Sequence, residues 1–543
     1  MSSERSYIIR DPFLLYREGV RESRRERARE GNIEIVKSMA EFLKSSLGPM
    51  GMSKLMINKF GDTAVTRDGA VILDMMDVYH PVAKFLKETA KSVESAVGDG
   101  TKTAIILIGE LVKRAERLME SGIRPGTIIS GYKRACEIAL SSLISLSRPF
   151  DLNNDELMKS IIRNMLRTRG IDVAVDHLSD LIIKAVNAAI EFRDGKVIID
   201  RDVIQVVKKP GRGILESELI MGVVLDRGLA HPMMPKRMLN ARVALLDMAL
   251  KVDPFKHLQP YKREIHIAND ELVKKFIREE DEIEKELVNR IISIGANVVI
   301  CRRRIGDVAK YELAKAGAMA VERLLKDERI ELIVRATGAM RIANLQDLRG
   351  DDLGHADLVE ERKIGGDRIL VIEGGRSSKI ATILLRGDPY QADEAERAIK
   401  DSVVMISALA AKPAYVPGGG AIEEALSIVL RNESLKYPGR EQIAIQAFAN
   451  SLEVIPILLA RNSGLDPTTI LTDLRAKHVN GMWEYGIDAF SKRIVNVIEV
   501  GLIEPLAVKE QILKTCTEVA SSIIRIDYVV DRRYAKKHRG EMP

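Results

Sequence analysis

The sequence predicts a multidomain α and α/β protein in which helical segments at both chain ends flank an α/β block. Three observations lead there. The chain has 543 residues, 46% of them hydrophobic, which at roughly 150 residues per domain allows two to four domains with real cores. Apolar residues recur with a helical period up to about residue 197 and again after TILLRGDP, but strand and helix patterns alternate between. The order is therefore helical, mixed, α/β, mixed, helical. Such a palindrome fits nested domains whose termini return to one place.

The elements follow in chain order. Residues 32–47, NIEIVKSMAEFLKSSL, put Ile35, Met39, Phe42 and Leu43 on one helical face. Asn32 reads as its N-cap and Gly48-Pro49 as its stop. KLMINKF and AVTRD read as a short strand pair joined at Gly61-Asp62. Residues 101–120, TKTAIILIGELVKRAERLME, form a strong helix whose front half is apolar nearly all round and so buried. Helical patterns continue through GYKRACEIALSSLISL and DLIIKAVNAAIEF. KVIIDRDVIQVVKK and ARVALLDMAL read as strands, and LVKKFIREEDEIEKELVNRIISIG as a long helix with an acidic-basic face. ANVVICRR is a buried strand, RIGDVAKYELAKAG a helix and AMAVERL a strand, which makes residues 223–372 the α/β domain. DEAERAIKDSVVMISALAA, a glycine turn at PGGGAIEE and several long helices complete the chain.

Composition excludes several classes. Lys and Arg number 84 against 78 Asp and Glu, a net charge of +6 spread thinly, without the clustered patch that nucleic acid demands. The basic runs Arg21–Arg29 and Arg532–Arg539 read as solvated terminal tails, and Arg302–Arg304 is short. The three cysteines, Cys136, Cys301 and Cys516, form no CxxC, so a reducing compartment is expected. The start, MSSERSYIIRDPF, is too charged for a secretory segment. No run of ~18 apolar residues stands out, so no membrane span is expected and a cytoplasmic location is. The eight histidines show no metal-binding spacing.

Four glycine-bearing segments carry the chemistry: SLGPMGMSK (46–54), TRDGA (66–70), VGDGTKT (97–103) and PGGGAIEE (417–424). VGDGTKT ends like a P-loop, but that motif needs glycines at 96 and 101, where Ala96 and Thr101 stand. It still suits phosphate. Glycine lets backbone approach a ligand, and a helix N-terminus offers unpaired N–H groups and partial positive charge. Thr101 and Thr103 add hydroxyls, and Asp99 is a sensible single carboxylate for Mg2+. Each turn alone reads as structural, since glycine is the default residue of tight turns and helix ends; only the four together bring a phosphate site level with that reading.

The blocks SLGPMGMSK, TRDGAVIL, VGDGTKTA, GYKRA, HPMMPKR, GANVVICR, LAKAG, VEERKIGG, DEAERAIKDS, VPGGGAIE, AFANSLEVIP and GLIEPLAVK occur in that order over essentially the whole chain. Together they resemble the group II chaperonins, the family of the archaeal thermosome and its eukaryotic cytosolic relative. The resemblance implies the chaperonin fold. A helical equatorial domain comes from residues 1–151 and 409–543, and a split intermediate domain from 152–222 and 373–408. An α/β apical domain, 223–372, carries a helical lid protrusion near 250–280. It implies an ATP-dependent folding subunit of a double ring, with ATP and Mg2+ as cofactors. The implied partners are unfolded proteins and homologous subunits, not nucleic acid.

Site residues follow from the same resemblance. Leu47, Gly48 and Pro49 match a first phosphate loop, and Asp99 the Mg2+ ligand. Gly100, Thr101, Lys102 and Thr103 match the phosphate cradle. Asp68 and Asp401 match the catalytic carboxylates, one near the γ-phosphate and one positioning the attacking water. Gly419, Asp488 and Glu504 match nucleoside contacts, and Arg169 stands where a lysine senses the γ-phosphate. Three departures stand out: Lys102 replaces a second threonine, Arg169 replaces lysine, and RGDPYQADE replaces an RGGTE-type turn. They leave open a second reading, a co-assembling subunit with weak or altered ATPase. A kinase or phosphatase using the same loop is a third. Trp483 reads as core rather than ligand contact. Phe255, Leu258 and Tyr261 are candidates for lid or client contact, and residues 324–339 resemble a client-facing helix.

Overall fold

The structure is a computed structural model that describes residues 21–58, 60–251, 270–375 and 379–531. The chain forms two compact units. One is built from the residues up to Val175 together with those from Lys400 onward, the other from Asp176–Ile399. Phe255, Leu258, Tyr261 and the Arg532–Arg539 run lie outside the described residues.

Both ends of the chain serve the first unit, where the strand Arg21–Arg24 pairs antiparallel with Tyr528–Asp531. Its centre is the helix Thr101–Glu120, in which every residue from Ala104 to Val112 is buried. That all-round burial follows from the unbroken apolar run AIILIG. Neighbouring helices come very close to it. A methyl group added at Gly109 would lie 2.3 Å from the Ala40 Cβ of the helix Arg25–Lys44. At the helix Pro125–Ser145, an added Gly131 methyl would lie 2.4 Å from the Ala444 Cβ of Arg440–Leu452. The Tyr132 and Phe448 rings meet edge-on at 5.8 Å, and the Tyr132 hydroxyl donates to the Leu111 carbonyl at 2.9 Å.

Two expectations are corrected here. Asn32 is not an N-cap: the first helix already starts at Arg25, and Asn32 is fully buried inside it. Arg, Glu and Ala, which fill positions 25–30, are strong helix formers, and Gly31 costs the helix only about 1 kcal/mol. The connection between the strands Lys54–Ile57 and Thr63–Thr66 is not a two-residue turn at Gly61-Asp62. It spans residues 58–62, and the Asn58 side-chain oxygen accepts from the N–H groups of Phe60 and Asp62, both at 2.9 Å. One helical stretch among the described residues, Arg440–Asn462, is long and apolar enough to cross a membrane, with a mean hydropathy of 1.7. Of its most apolar 18-residue window 72% is buried, as befits a core segment.

The second unit is organised on a mixed sheet. Its strand order is Met319–Val321, Val298–Cys301, Arg237–Leu246, Gly354–Ile364, Asp367–Gly375, Gly222–Leu225, and the short strand Arg341–Ile342 also pairs with Arg237–Leu246. The VVIC strand is buried throughout and runs parallel to its neighbours, as a continuous apolar strand should. Helices Asp270–Ser293, Asp307–Lys315 and Asp327–Thr337 alternate with the strands. Buried Glu284 accepts from the Ala309 N–H at 3.1 Å, capping the second of them. A smaller sheet joins Ile204–Pro210, Ala381–Gly387 and Glu218–Ile220.

Candidate functional site

The first unit contains a cleft that is partly open to solvent. Three glycine turns build it. The helix Pro81–Val97 ends at Gly98 (φ 71°), whose N–H returns to the Glu94 carbonyl at 2.8 Å. Gly100 (φ 86°) then starts the helix Thr101–Glu120 without a side-chain cap. Asp99 lies between the two left-handed glycines, and its Oδ1 accepts from the Gly100 N–H at 2.7 Å. The loop thus turns an uncapped helix N-terminus and one carboxylate toward the cleft, an arrangement suited to phosphate with a hard cation.

The second wall is the loop after the Arg25–Lys44 helix. Asn462 holds it by donating to the carbonyls of Lys44 at 3.0 Å and Leu47 at 2.9 Å. The third wall follows the strand Ala414–Pro417, which pairs with Ile503–Pro505 so that Val416 faces Glu504. Gly419 (φ 60°) packs so closely on the strand Tyr485–Asp488 that an added methyl would lie 2.6 Å from the Ile487 carbonyl oxygen. Only glycine permits that approach.

Ten expected site residues line this cleft: Leu47, Gly48, Pro49, Asp99, Gly100, Lys102, Thr103, Gly419, Asp488 and Glu504. Four do not. Thr101 is buried in the first turn of its helix. Asp68, Arg169 and Asp401 form a separate cluster. Asp68 caps the helix Gly69–Met75, accepting from Ala70 N–H at 2.8 Å and Val71 N–H at 3.1 Å. Its other oxygen pairs with one Arg169 nitrogen, and a second Arg169 nitrogen lies 2.6 Å from Asp401 Oδ2. The ammonium of Lys102 donates to the Ser46 carbonyl at 2.9 Å, tying the helix start to the first loop. Trp483 packs with its ring tilted against buried His478, the centroids 5.7 Å apart, and does not line the cleft.

Several residues of the site carry no sequence signal of their own. Lys509 is buried between Glu423 at 2.6 Å and Glu504 at 2.7 Å. Burial presses its pKa down, but the two carboxylates outweigh this and the ammonium is held charged, with its pKa raised. Burial pushes the Glu504 carboxyl up, against the pull of Lys509. The only hint was a lysine inside an apolar run, EPLAVK. Glu94 brings a third carboxylate: oxygens of Asp68, Glu94 and Asp401 all lie within 4.8 Å of one another. The Arg167 guanidinium sits 5.2 Å from the centre of the Phe490 ring, and both line the cleft.

Comparison with known proteins identifies the family. The TCP-1/cpn60 chaperonin family matches residues 39–533. A thermosome subunit of Methanopyrus kandleri is 42% identical over 511 residues, covering 94% of this chain and 93% of that relative. The thermosome subunit alpha of Archaeoglobus fulgidus is 41% identical over 530 residues, covering 97% and 96%. The thermosome subunit beta of Sulfolobus acidocaldarius is 39% identical over 533 residues, covering 98% and 95%. The chain belongs to the TCP-1/cpn60 chaperonin family. Its near-full-length similarity to thermosome subunits puts it among the group II chaperonin subunits of the archaeal kind, and so among proteins that serve protein folding.

Proposed function

We propose that this chain is an ATP-hydrolysing subunit of a double-ring chaperonin, which confines unfolded protein under a built-in lid in the cytoplasm. The 97–103 loop carries the reading. It joins a carboxylate, two left-handed glycines and an uncapped helix N-terminus at one cleft. In this reading Asp99 holds Mg2+, and Gly100, Thr101, Lys102 and Thr103 hold phosphate. Leu47, Gly48 and Pro49 close the phosphate end. Gly419, Asp488 and Glu504 face the nucleoside. Magnesium supplies charge neutralisation to the phosphates. Asp68 and Asp401 orient and deprotonate the attacking water. Asp401 lies on the helix Pro389–Ala411, whose first residues belong to the second unit. A reactive carboxylate on such a helix would couple hydrolysis to domain movement. The equatorial, intermediate and apical division read from the sequence belongs to the same proposal.

Homologous subunits are the proposed ring partners. The relatives are named as subunits, and alpha and beta forms occur in one organism. A second reading, a weakly hydrolysing place-holder in a mixed ring, is favoured by Arg169, which engages both proposed catalytic carboxylates. The substitution Asp99→Ala tests the main reading. Magnesium-dependent ATP turnover should fall at least about 100-fold, the scale of losing one preorganised electrostatic contact. Turnover within threefold of the parent chain refutes the assignment.

A further inference from the structure

We propose that Arg169 is a latch on the two reactive carboxylates, and that turnover requires its guanidinium to leave Asp401. The inference rests on the ATPase reading above. Arg169 follows the helix Asp155–Thr168 as its C-cap, with its N–H bonded to the Leu166 carbonyl at 3.1 Å. Its fork reaches both aspartates at once, one nitrogen on Asp68 and the other 2.6 Å from Asp401 Oδ2. The three side chains are only 10%, 1% and 13% exposed. Water therefore does not readily replace either contact, since unpairing a buried charge is costly.

The two aspartates are not held alike. Asp68 is also fixed by two backbone N–H groups of the helix that it caps. Asp401 is carried on the long helix Pro389–Ala411, and its backbone packs against the phosphate loop. A methyl added at Gly98 would lie 2.2 Å from the Asp401 carbonyl oxygen. The cluster is thus adjacent to the loop that carries Asp99, and Thr168, the residue before Arg169, lines the cleft. A carboxylate held by a guanidinium is poorly placed to take a proton from water, because a general base must itself bond to that water.

Only a strong anion would draw the fork away. The terminal phosphate of a nucleoside triphosphate carries several charged oxygens that match the arginine fork, and a diphosphate lacks that group. Arg169 is therefore a positioning residue. It keeps Asp401 idle until a triphosphate is present and captures it again afterwards. Lysine, a point charge on a flexible stem, would hold two carboxylates less firmly.

The test compares the full-length chain with Arg169→Lys and Arg169→Gln. It reads kcat and KM for Mg-ATP, ADP affinity and thermal midpoint. Folding is certified where ADP affinity stays within about twofold of the parent. The latch predicts that kcat rises roughly threefold to tenfold in both variants, as the latched fraction falls, with KM changed less than kcat. A silent parent chain with an active Arg169→Lys variant also supports it. A fall in kcat or an unchanged kcat overturns the latch, whatever happens to KM, and leaves Arg169 a phosphate contact without a hold on Asp401 or a structural residue. If ADP binds but none of the three proteins hydrolyses ATP, the ATPase reading itself fails and the latch falls with it.

Discussion

Glu424 carries a carboxyl that folding makes expensive to ionise. Burial is the main cause and the neighbouring Glu453 the next; together they push its pKa up to about 7 despite Arg475 and Arg431. Its Oε1 accepts from Arg475 Nε at 3.1 Å, and the same arginine reaches Glu453 at 2.6 Å. The folded value lies above the ordinary 4.5, so the folded state binds this proton more tightly than the unfolded chain. The stabilisation is complete below about pH 4.5 and is lost as the pH rises through about 7, a swing on the order of 3 kcal/mol. Glu424→Gln removes the titration while keeping an acceptor for Arg475. Its thermal midpoint relative to the parent chain should rise between pH 5.5 and pH 8; an equal difference at both pH values defeats the assignment. Residues of this kind were not legible in the sequence. Asp99 and Gly100 announce themselves through their spacing, but Glu424, Lys509 and Glu94 meet Arg475, Glu423 and Asp68, each more than 25 positions away in the chain. Lys102 was legible as a cation in the loop. That its ammonium turns back to the Ser46 carbonyl depended on a chain crossing no local pattern records.

The helix Thr101–Glu120 shows what a strong periodicity does reveal. Its bounds match those read from the sequence, because a Gly start and an apolar face agree locally with the global packing. The Arg25–Lys44 helix was read too short, because its first turns are polar and offered no periodicity to count. Neither reading could show how closely these two helices cross. At Gly109 helix propensity favours alanine by about 1 kcal/mol, but the new methyl would lie 2.3 Å from the Ala40 Cβ. Packing should win, since overpacking a close crossing costs about 1–3 kcal/mol. Gly109→Ala is expected to lower the thermal midpoint, and adding Ala40→Gly should recover much of it by moving the methyl from one helix to the other. Additive losses in the double variant would show that the two positions do not share this contact.

At the scale of the whole molecule, the palindromic texture of the sequence and the return of both chain ends to one unit are the same fact seen twice. Assembly was not readable from pattern, because a strand pair with an apolar outer face looks the same in sequence whether a core or a partner covers it. The structure shows which face is uncovered. Leu55, Ile57 and Val65 project from one side of the Lys54–Ile57 and Thr63–Thr66 pair and are 68%, 63% and 60% exposed, with Leu55 directly opposite Val65. Exposed apolar side chains gathered on one face mark an interaction surface, and in the proposed ring a neighbouring subunit would supply the cover. The purified chain should therefore scatter light as a particle of megadalton order, with or without Mg-ATP. Leu55→Lys combined with Ile57→Lys should break that particle into small species while leaving helicity unchanged, because neither residue contributes to a core within its own chain. A parent chain that stays small under both conditions rules out self-assembly and makes sister subunits necessary. A double variant that still forms the full particle removes this hairpin face from the contact and leaves its exposure without a partner.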